Sequence, residues 1–267
     1  MRTWIRTALI AAAATLSPAA FLYAATDWSD FSGDVLILGE VHDNPTHHAE
    51  QAKAARIIAP RAVVFEMLTP DEAAALASTA RDPDSMAQAT QGYHWSNIAD
   101  YADILAASPV IIGAALPRDD MRAAFSDGAA LVFGDAATSY GLDQPLPDEE
   151  QALRELNQFD AHCEAMPFEM MGGMVEAQRL RDAAFARTVI DAIDTYGSPV
   201  LLITGNGHAR ADWGVPLYLS RVRPDLDVTS VGQGERQEPP EGVYSWTLNG
   251  AASPDRGDPC AVFDQAN

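Results

Sequence analysis

Four short, nearly uninterrupted apolar runs dominate the chain: Val35-Leu36-Ile37-Leu38, Ala62-Val63-Val64-Phe65, Val110-Ile111-Ile112 and Val200-Leu201-Leu202-Ile203. Each is too short for a buried helix, rich in β-branched residues and closed by glycine, proline or a charged residue, so each reads as a buried strand. The strand readings span residues 34–40, 61–67, 109–114 and 199–204, with shorter late strands at 227–231 and 243–248. Helical patterns separate them. Pro45 opens a helix running to Ala59, with Asp43 or Asn44 serving its amides. Thr69-Pro70-Asp71-Glu72 is a capped helix start. Further helices are expected over 97–107, from Pro117, over 148–163 and over 174–196. Strands alternating with helices predict an α/β fold, a mostly parallel sheet flanked by helices on both faces. The glycine-, proline- and aspartate-rich stretch from Gly128 to Pro147 reads as a loop, and the chain from Gly232 as loose surface.

The sequence has 267 residues, enough for one domain with a substantial core. Residues 1–25 read as a secretory signal: Arg2 and Arg6 precede the apolar Thr7–Leu16, and small residues follow at Ala19, Ala24 and Ala25. The expected organisation is the signal at 1–25, a single α/β domain at 26–250 and a loose tail at 251–267. That points to a periplasmic or otherwise exported protein, with no stable membrane span once the signal is removed. No cysteine lies near the cleavage positions, so a lipoprotein anchor is not supported. Removing the signal takes away two arginines and no acids, leaving 15 basic against 38 acidic residues, a net charge of −23. Such a charge excludes a nucleic-acid partner, whose phosphates need basic surface. The two cysteines, Cys163 and Cys260, form an expected disulfide in an oxidising compartment.

Chemistry concentrates where strands end. Leu38-Gly39-Glu40-Val41-His42-Asp43-Asn44-Pro45-Thr46-His47-His48 follows the first strand and holds three of the six histidines. Ligand sites of open α/β sheets form at such carboxyl ends. Glu40 and His42 share a side by the two-residue repeat of a strand, so they can exchange a proton, hold a metal or orient each other. Gly39 allows the backbone to turn tightly. Glu66 closes the second strand, either in the same cluster or paired with Arg61 or Arg118. His208 follows the fourth strand in Gly205-Asn206-Gly207-His208. Glu40, His42, Glu66 and His208 thus make one candidate cluster, catalytic or holding a divalent metal. The alternative is a buried polar layer over the first helix.

A second feature is softer. His162, Met166, Met170 and Met174 recur every four residues, as on one helical face, although Pro167 and Gly172-Gly173 interrupt it. They fit a core, a lid or a deformable wall against a flat apolar ligand, with His162 or a methionine as axial ligand. Tyr93-His94-Trp95 adds an aromatic–imidazole segment. Nucleophile elbow, P-loop, dinucleotide fingerprint and Cys-x-x-Cys are all absent.

The stretch from Leu38 to His48 resembles the opening motif of the ChaN-like haem-binding uptake family, within the wider Tiki group. Phe65-Glu66, Tyr93-His94-Trp95, Ala115-Leu116-Pro117-Arg118, His162-Cys163, the segment from Met174 to Asp182 and the segment from Ile203 to Arg210 match in order, over roughly residues 33–230. The resemblance implies a ChaN- or erythromycin-esterase-like α/β fold and an exported protein that binds haem and handles iron, sometimes as a homodimer. It also implies a hydrolytic alternative, since relatives in the wider group use Glu and His at the positions of Glu40, His42, Glu66 and His208. Candidate haem-binding residues are His42, His47, His48, Tyr93, His162, Met170, Met174 and His208. The missing lipid-attachment cysteine sets the chain apart from lipoprotein relatives.

Overall fold

The structure is a computed structural model that describes residues 26–254, 256–258 and 260–261; the expected signal lies outside the described residues. Six strands form one sheet: β1 (Val35–Glu40), β2 (Ala62–Phe65), β3 (Ile111–Gly113), β4 (Val200–Gly205), β5 (Val228–Glu235) and β6 (Trp246–Gly250). Their order is β3-β2-β4-β1-β5-β6, and every pairing is parallel. All strands therefore deliver their carboxyl ends to one edge, with Glu40 opposite Gly205 and Phe65 opposite both Ile203 and Gly113.

The helices are α1 (Pro45–Ile58), α2 (Pro70–Ala75), α3 (Pro83–Ala89), α4 (Ala102–Ala107), α5 (Arg118–Asp127), α6 (Ala129–Phe133), α7 (Ala137–Tyr140), α8 (Asp148–Ala161), α9 (Met171–Tyr196), α10 (Asn206–Ala209) and α11 (Val215–Val222). Local chemistry explains several starts. Asn44 caps α1 by accepting from the Thr46 and His47 amides, with Pro45 at the first position. Thr69 and Glu72 cap α2 reciprocally.

Strand parity divides the core. Leu36, Leu38, Val63, Phe65, Leu201 and Ile203 pack with Ala52, Ala55, Ile104 and Leu105 of α1 and α4. Val35, Ile37, Ala62, Val64, Val200 and Leu202 pack with Leu180, Phe185 and Val189 of α9 and with Tyr218 of α11. Alternate side chains of the same strands thus feed two apolar layers, which is why the runs are apolar at every position.

Three expectations need correction. The stretch from Gly128 to Pro147 is not an open loop: α6 and α7 lie in it, separated by Gly134 and ending at Gly141, both at positive φ. The chain from Gly232 is not loose, because β5 continues to Glu235 and β6 follows it into the sheet. Beyond β6, Arg256 binds Asp43 and Glu235, and Cys260 is bonded to Cys163 as expected. The third concerns the histidine–methionine spacing. α8 stops at Ala161, Cys163 and Glu164 adopt left-handed conformations, and α9 begins only at Met171. His162, Met166, Met170 and Met174 therefore do not share one helical face.

Gly39 also acts differently from the expected turn. It sits inside β1, where a Cβ would lie 2.6 Å from Asn206 Oδ1 and 2.9 Å from the Ala209 Cβ. Its missing side chain lets α10, which carries His208, pack directly on the strand. Gly39→Ala should push α10 outward and lower stability by about 1–3 kcal/mol, read from urea unfolding.

Candidate functional site

Parity places Glu40 on the α1 side of the sheet edge, in line with Leu36 and Leu38. Glu66 continues the opposite set, Ala62 and Val64, and faces α9. Both carboxylates are buried, each only 2 % exposed. A buried carboxylate is tolerated only if its oxygens are supplied with donors, and here each has its own set.

Glu40 Oε1 accepts from the Tyr101 hydroxyl and from His42 Nδ1, the latter at 2.7 Å. Its Oε2 accepts from Gln51 Nε2 at 2.7 Å. Glu66 Oε2 accepts from the Thr204 hydroxyl at 2.6 Å and the Gly205 amide at 2.8 Å, while Oε1 accepts from Arg181 Nη2 at 2.5 Å. His42 spans the sheet edge between the two: its Nε2 lies 3.8 Å from Glu66 Oε2. Gly205 gives it room, since a Cβ there would stand 2.9 Å from that nitrogen. His208 approaches from the other side, with Nε2 3.5 Å from Glu66 Oε1 and Nδ1 2.6 Å from Asp182 Oδ1. The Gln178 amide nitrogen is 2.9 Å from the same Nδ1. With that nitrogen donating to Asp182, the Gln178 amide can give one hydrogen to His208 Nε2, 3.5 Å away, and keeps the other.

The electrostatics follow from these pairings. Burial opposes charge on His42, but the Glu66 and Glu40 carboxylates outweigh it and raise its pKa. Burial also opposes ionisation of Glu66, yet His208, Arg181 and His42 together hold its pKa far below the usual carboxylate range. For Asp182 burial wins over His208 and the nearby arginines, and its pKa rises. The Tyr101 hydroxyl is pushed up by burial and by the Glu40 charge, so it remains a donor.

A cavity of about 600 Å³ opens beside this cluster. Glu40, His42, Glu66 and His208 line it together, as expected of one connected cluster. Neither Arg61 nor Arg118 partners Glu66; α9 supplies Arg181 instead. Of the candidate haem-binding residues, His42, His162 and His208 line the cavity. The others lie elsewhere. His47 is buried beneath β5, accepting from the Val41 amide at 3.0 Å through Nδ1 and donating to the Gly234 carbonyl at 3.1 Å. His48 stacks on Tyr101 with ring centroids 4.2 Å apart and places Nε2 3.5 Å from Glu40 Oε2, behind the cavity wall. Tyr93 donates to the Glu72 carbonyl, and His94 pairs with the Glu72 carboxylate. Met170 is exposed and Met174 half-buried, both outside the cavity wall.

A divalent ion does not fit the four-residue set. Glu40 and Glu66 stand on opposite faces of the sheet edge, and Tyr101, Gln51, Arg181, Thr204 and Gly205 engage their oxygens. Among the described residues, no group of three or more His, Cys, Asp or Glu side chains is arranged to hold a metal ion.

Tyr101, Gln51, Gln178, Arg181 and Asp182 were not singled out from the sequence as site residues. Arg181 and Asp182 fall within the Met174–Asp182 match but sit inside an amphipathic helix, where charge ordinarily reads as solvated surface. Tyr101 reaches the cluster from a 3-10 turn (Ile98–Tyr101) more than fifty residues away.

Tyr101→Phe would leave Glu40 Oε1 short of a donor and should cost about 1–3 kcal/mol in chemical denaturation. Stability should also fall with acid, in two stages. Burial lowers the pKa values of His47 and His48 from 6.5. Their charging in the unfolded chain therefore removes stability as pH drops below 6.5. The depressed pKa of Glu66 adds a loss as pH drops below its ordinary 4.5. The raised pKa of His42 acts oppositely: its contribution is full below 6.5 and fades as pH rises through its folded value. Thermal midpoints measured from pH 3 to 8 should show both acid limbs, and Glu66→Gln should have a shallower lower one, the remainder coming from Asp43, Glu72, Asp212 and Glu235, whose pKa values are also lowered.

A protein family described as haem-binding uptake, Tiki superfamily, ChaN matches residues 31–219. A solved structure of ChaN from Campylobacter jejuni, described as showing cofacial heme binding, is similar at 18 % identity with a TM-score of 0.56, covering 77 % of this chain and 83 % of that one. The structure of the type III effector HopBA1 is similar at 9 % identity with a TM-score of 0.44, covering 82 % and 88 %. No curated protein matches the chain. With more than half its length matched and its parallel α/β architecture shared with a ChaN structure, this chain belongs to the haem-binding uptake family of ChaN within the Tiki superfamily.

Proposed function

We propose that the protein is exported, binds haem in the cavity at the carboxyl edge of the sheet, and serves haem or iron acquisition. Membership of a haem-binding family supports the ligand. The observation that carries the assignment to this cavity is its wall: Val41, Ala161, Val175 and Trp213 give apolar surface around polar groups, and His162 stands at the end of α8. The Gln158 carbonyl accepts from His162 Nδ1 at 2.8 Å. That bond fixes the tautomer and leaves Nε2 as a neutral donor for iron, the usual way a ligating imidazole is oriented. The fit is thus of two kinds, a planar apolar body against the wall and an imidazole for the metal. Bound haem would supply an iron centre. The protein's own residues bind and orient it.

The signal-like residues 1–25 and the Cys163–Cys260 disulfide support an oxidising, extracytoplasmic location. Among the described residues no helix is long and apolar enough to cross a membrane. The ChaN of Campylobacter jejuni is described as binding heme cofacially; a homodimer presenting two haems face to face is the corresponding proposal here.

A second reading rests on the buried Glu40–His42 pair. A carboxylate holding one imidazole nitrogen while the other faces a cavity is an acid–base arrangement, and it favours a metal-free hydrolase. In that case His42 acts as general base only above its raised pKa, with Glu40 orienting it and His208 opposite. Sustained hydrolysis of model esters or phosphates that increases with pH and disappears in His42→Ala would establish it.

Haemin titrated into the purified chain should give a saturable Soret shift. His162→Ala should weaken binding by at least about tenfold or change the band position, with unchanged circular dichroism. A shift equal to that seen with an unrelated acidic protein would overturn haem binding.

A further inference from the structure

The cavity holds three guanidinium groups, and their hydrogen bonding differs in a way that matters. Arg210 gives two parallel bonds to Asp212, at 3.0 and 2.7 Å, and lies 3.6 Å from the centroid of the Trp213 ring. Arg154 gives two donors to Glu150 and faces the same ring at 5.1 Å. Both are engaged. Arg181 is not. It meets Glu66 through Nη2 alone, because the Thr204 hydroxyl and the Gly205 amide already occupy Glu66 Oε2. A two-pronged pairing is therefore closed to it, and among the described residues its Nε and Nη1 donate to no protein acceptor.

The remaining donors point the same way. Gln178 lies one helical turn from Arg181 on α9 and, beyond the one hydrogen it can give His208 Nε2 at 3.5 Å, has a second to offer. His42, held toward its protonated form, presents Nε2 at the same wall. The two edge carboxylates, Glu40 and Glu66, have donors on both oxygens, and Asp182 accepts from His208 through Oδ1. A cavity with donors left over and its two edge carboxylates satisfied is completed by an acceptor from the ligand. The group best matched to a planar guanidinium fork is a carboxylate. Arg181 is one-third exposed, and that exposure is toward the cavity.

We propose that Arg181, assisted by Gln178 and His42 Nε2, is a carboxylate subsite that seats one haem propionate, so that the ligand enters propionate first. This rests on the haem-binding reading above and extends it to the orientation of the ligand. The porphyrin body then lies along Val41, Val175, Ala161 and Trp213, with His162 farther along the wall from the carboxylate. The engaged Arg154 and Arg210 shape the Trp213 wall and do not read the anion.

The test compares haemin with its dimethyl ester, which keeps iron and ring but lacks both negative charges. Both are titrated by Soret absorbance into the full chain, in one buffer containing dimethyl sulfoxide. The wild-type protein should bind haemin about tenfold or more tightly than the ester, as expected for hydrogen bonds to a charged group. Arg181→Gln should bring the two affinities together. Arg181→Lys keeps a cation beside Glu66 without the fork and should narrow the gap. It decides the matter if Arg181→Gln proves unfolded by circular dichroism. Equal affinities in the wild type overturn the subsite while leaving haem binding intact. A gap that survives unchanged in the folded variants overturns the assignment to Arg181. No saturable shift with either ligand overturns both the subsite and the haem-binding reading.

Discussion

The arrangement at the sheet edge depends on how one buried carboxylate, Glu66, is satisfied. It ends β2, yet its partners come from β4 through Thr204 and Gly205, from α9 through Arg181, and across space from His42 of β1 and His208 of α10. A bare charge at that depth would be far more costly than any single contact around it. The cost is met only when β1, α9 and the contiguous β4–α10 segment, each distant from β2 in sequence, arrive together. Glu66 therefore acts as the registration point of the edge, and the cavity takes its shape from what must surround it. Glu40 repeats the solution on the opposite face with Tyr101, Gln51 and His42, and His42 joins the two halves across the edge.

Much of this is legible in the residues alone. The apolar runs identify β1 to β4 within a few residues, because a strand covered on both faces must be apolar at every position, whereas the more polar β5 and β6 read only as shorter late strands. That Glu40, His42, Glu66 and His208 would converge also follows, since each lies at or just past a strand's carboxyl end and parallel strands end together. What is not legible is the choice of partner. Glu66 could have met Arg61 or Arg118 by sequence proximity, but the packing of α9 across that face of the sheet brings Arg181 instead. The histidine–methionine spacing fails for a different reason: a period of four has meaning only while the helix lasts, and the chain leaves helical conformation at Cys163 and Glu164. His47 and His48 illustrate the same limit, for one turn of α1 carries them under β5 and Tyr101, away from the cavity beside His42.

The chain belongs to a haem-binding family, and under the proposed reading its cavity would let a strongly acidic protein take an anionic, mostly apolar ligand. The surplus negative charge of the chain is not carried into the pocket. There each carboxylate is met by an imidazole, an arginine or neutral donors, and Arg181 still has donors to give. Overall charge and pocket character are thus decoupled, which a net charge alone conceals.

The Cys163–Cys260 bond closes a ring that contains α9, β4, β5 and β6, while β1 and β2 lie outside it. Tension applied at the two ends of the chain would cross from Cys163 to Cys260 through the sulfurs and bypass everything between. The strands inside the ring would be shielded mechanically. β1, held between β4 and β5, would instead be drawn lengthwise from its slot, against the parallel hydrogen bonds of both neighbours. Under load, then, the strand at risk is the one that carries Glu40 and leads into His42, and its withdrawal would part β4 from β5 and dismantle the pocket together with the sheet.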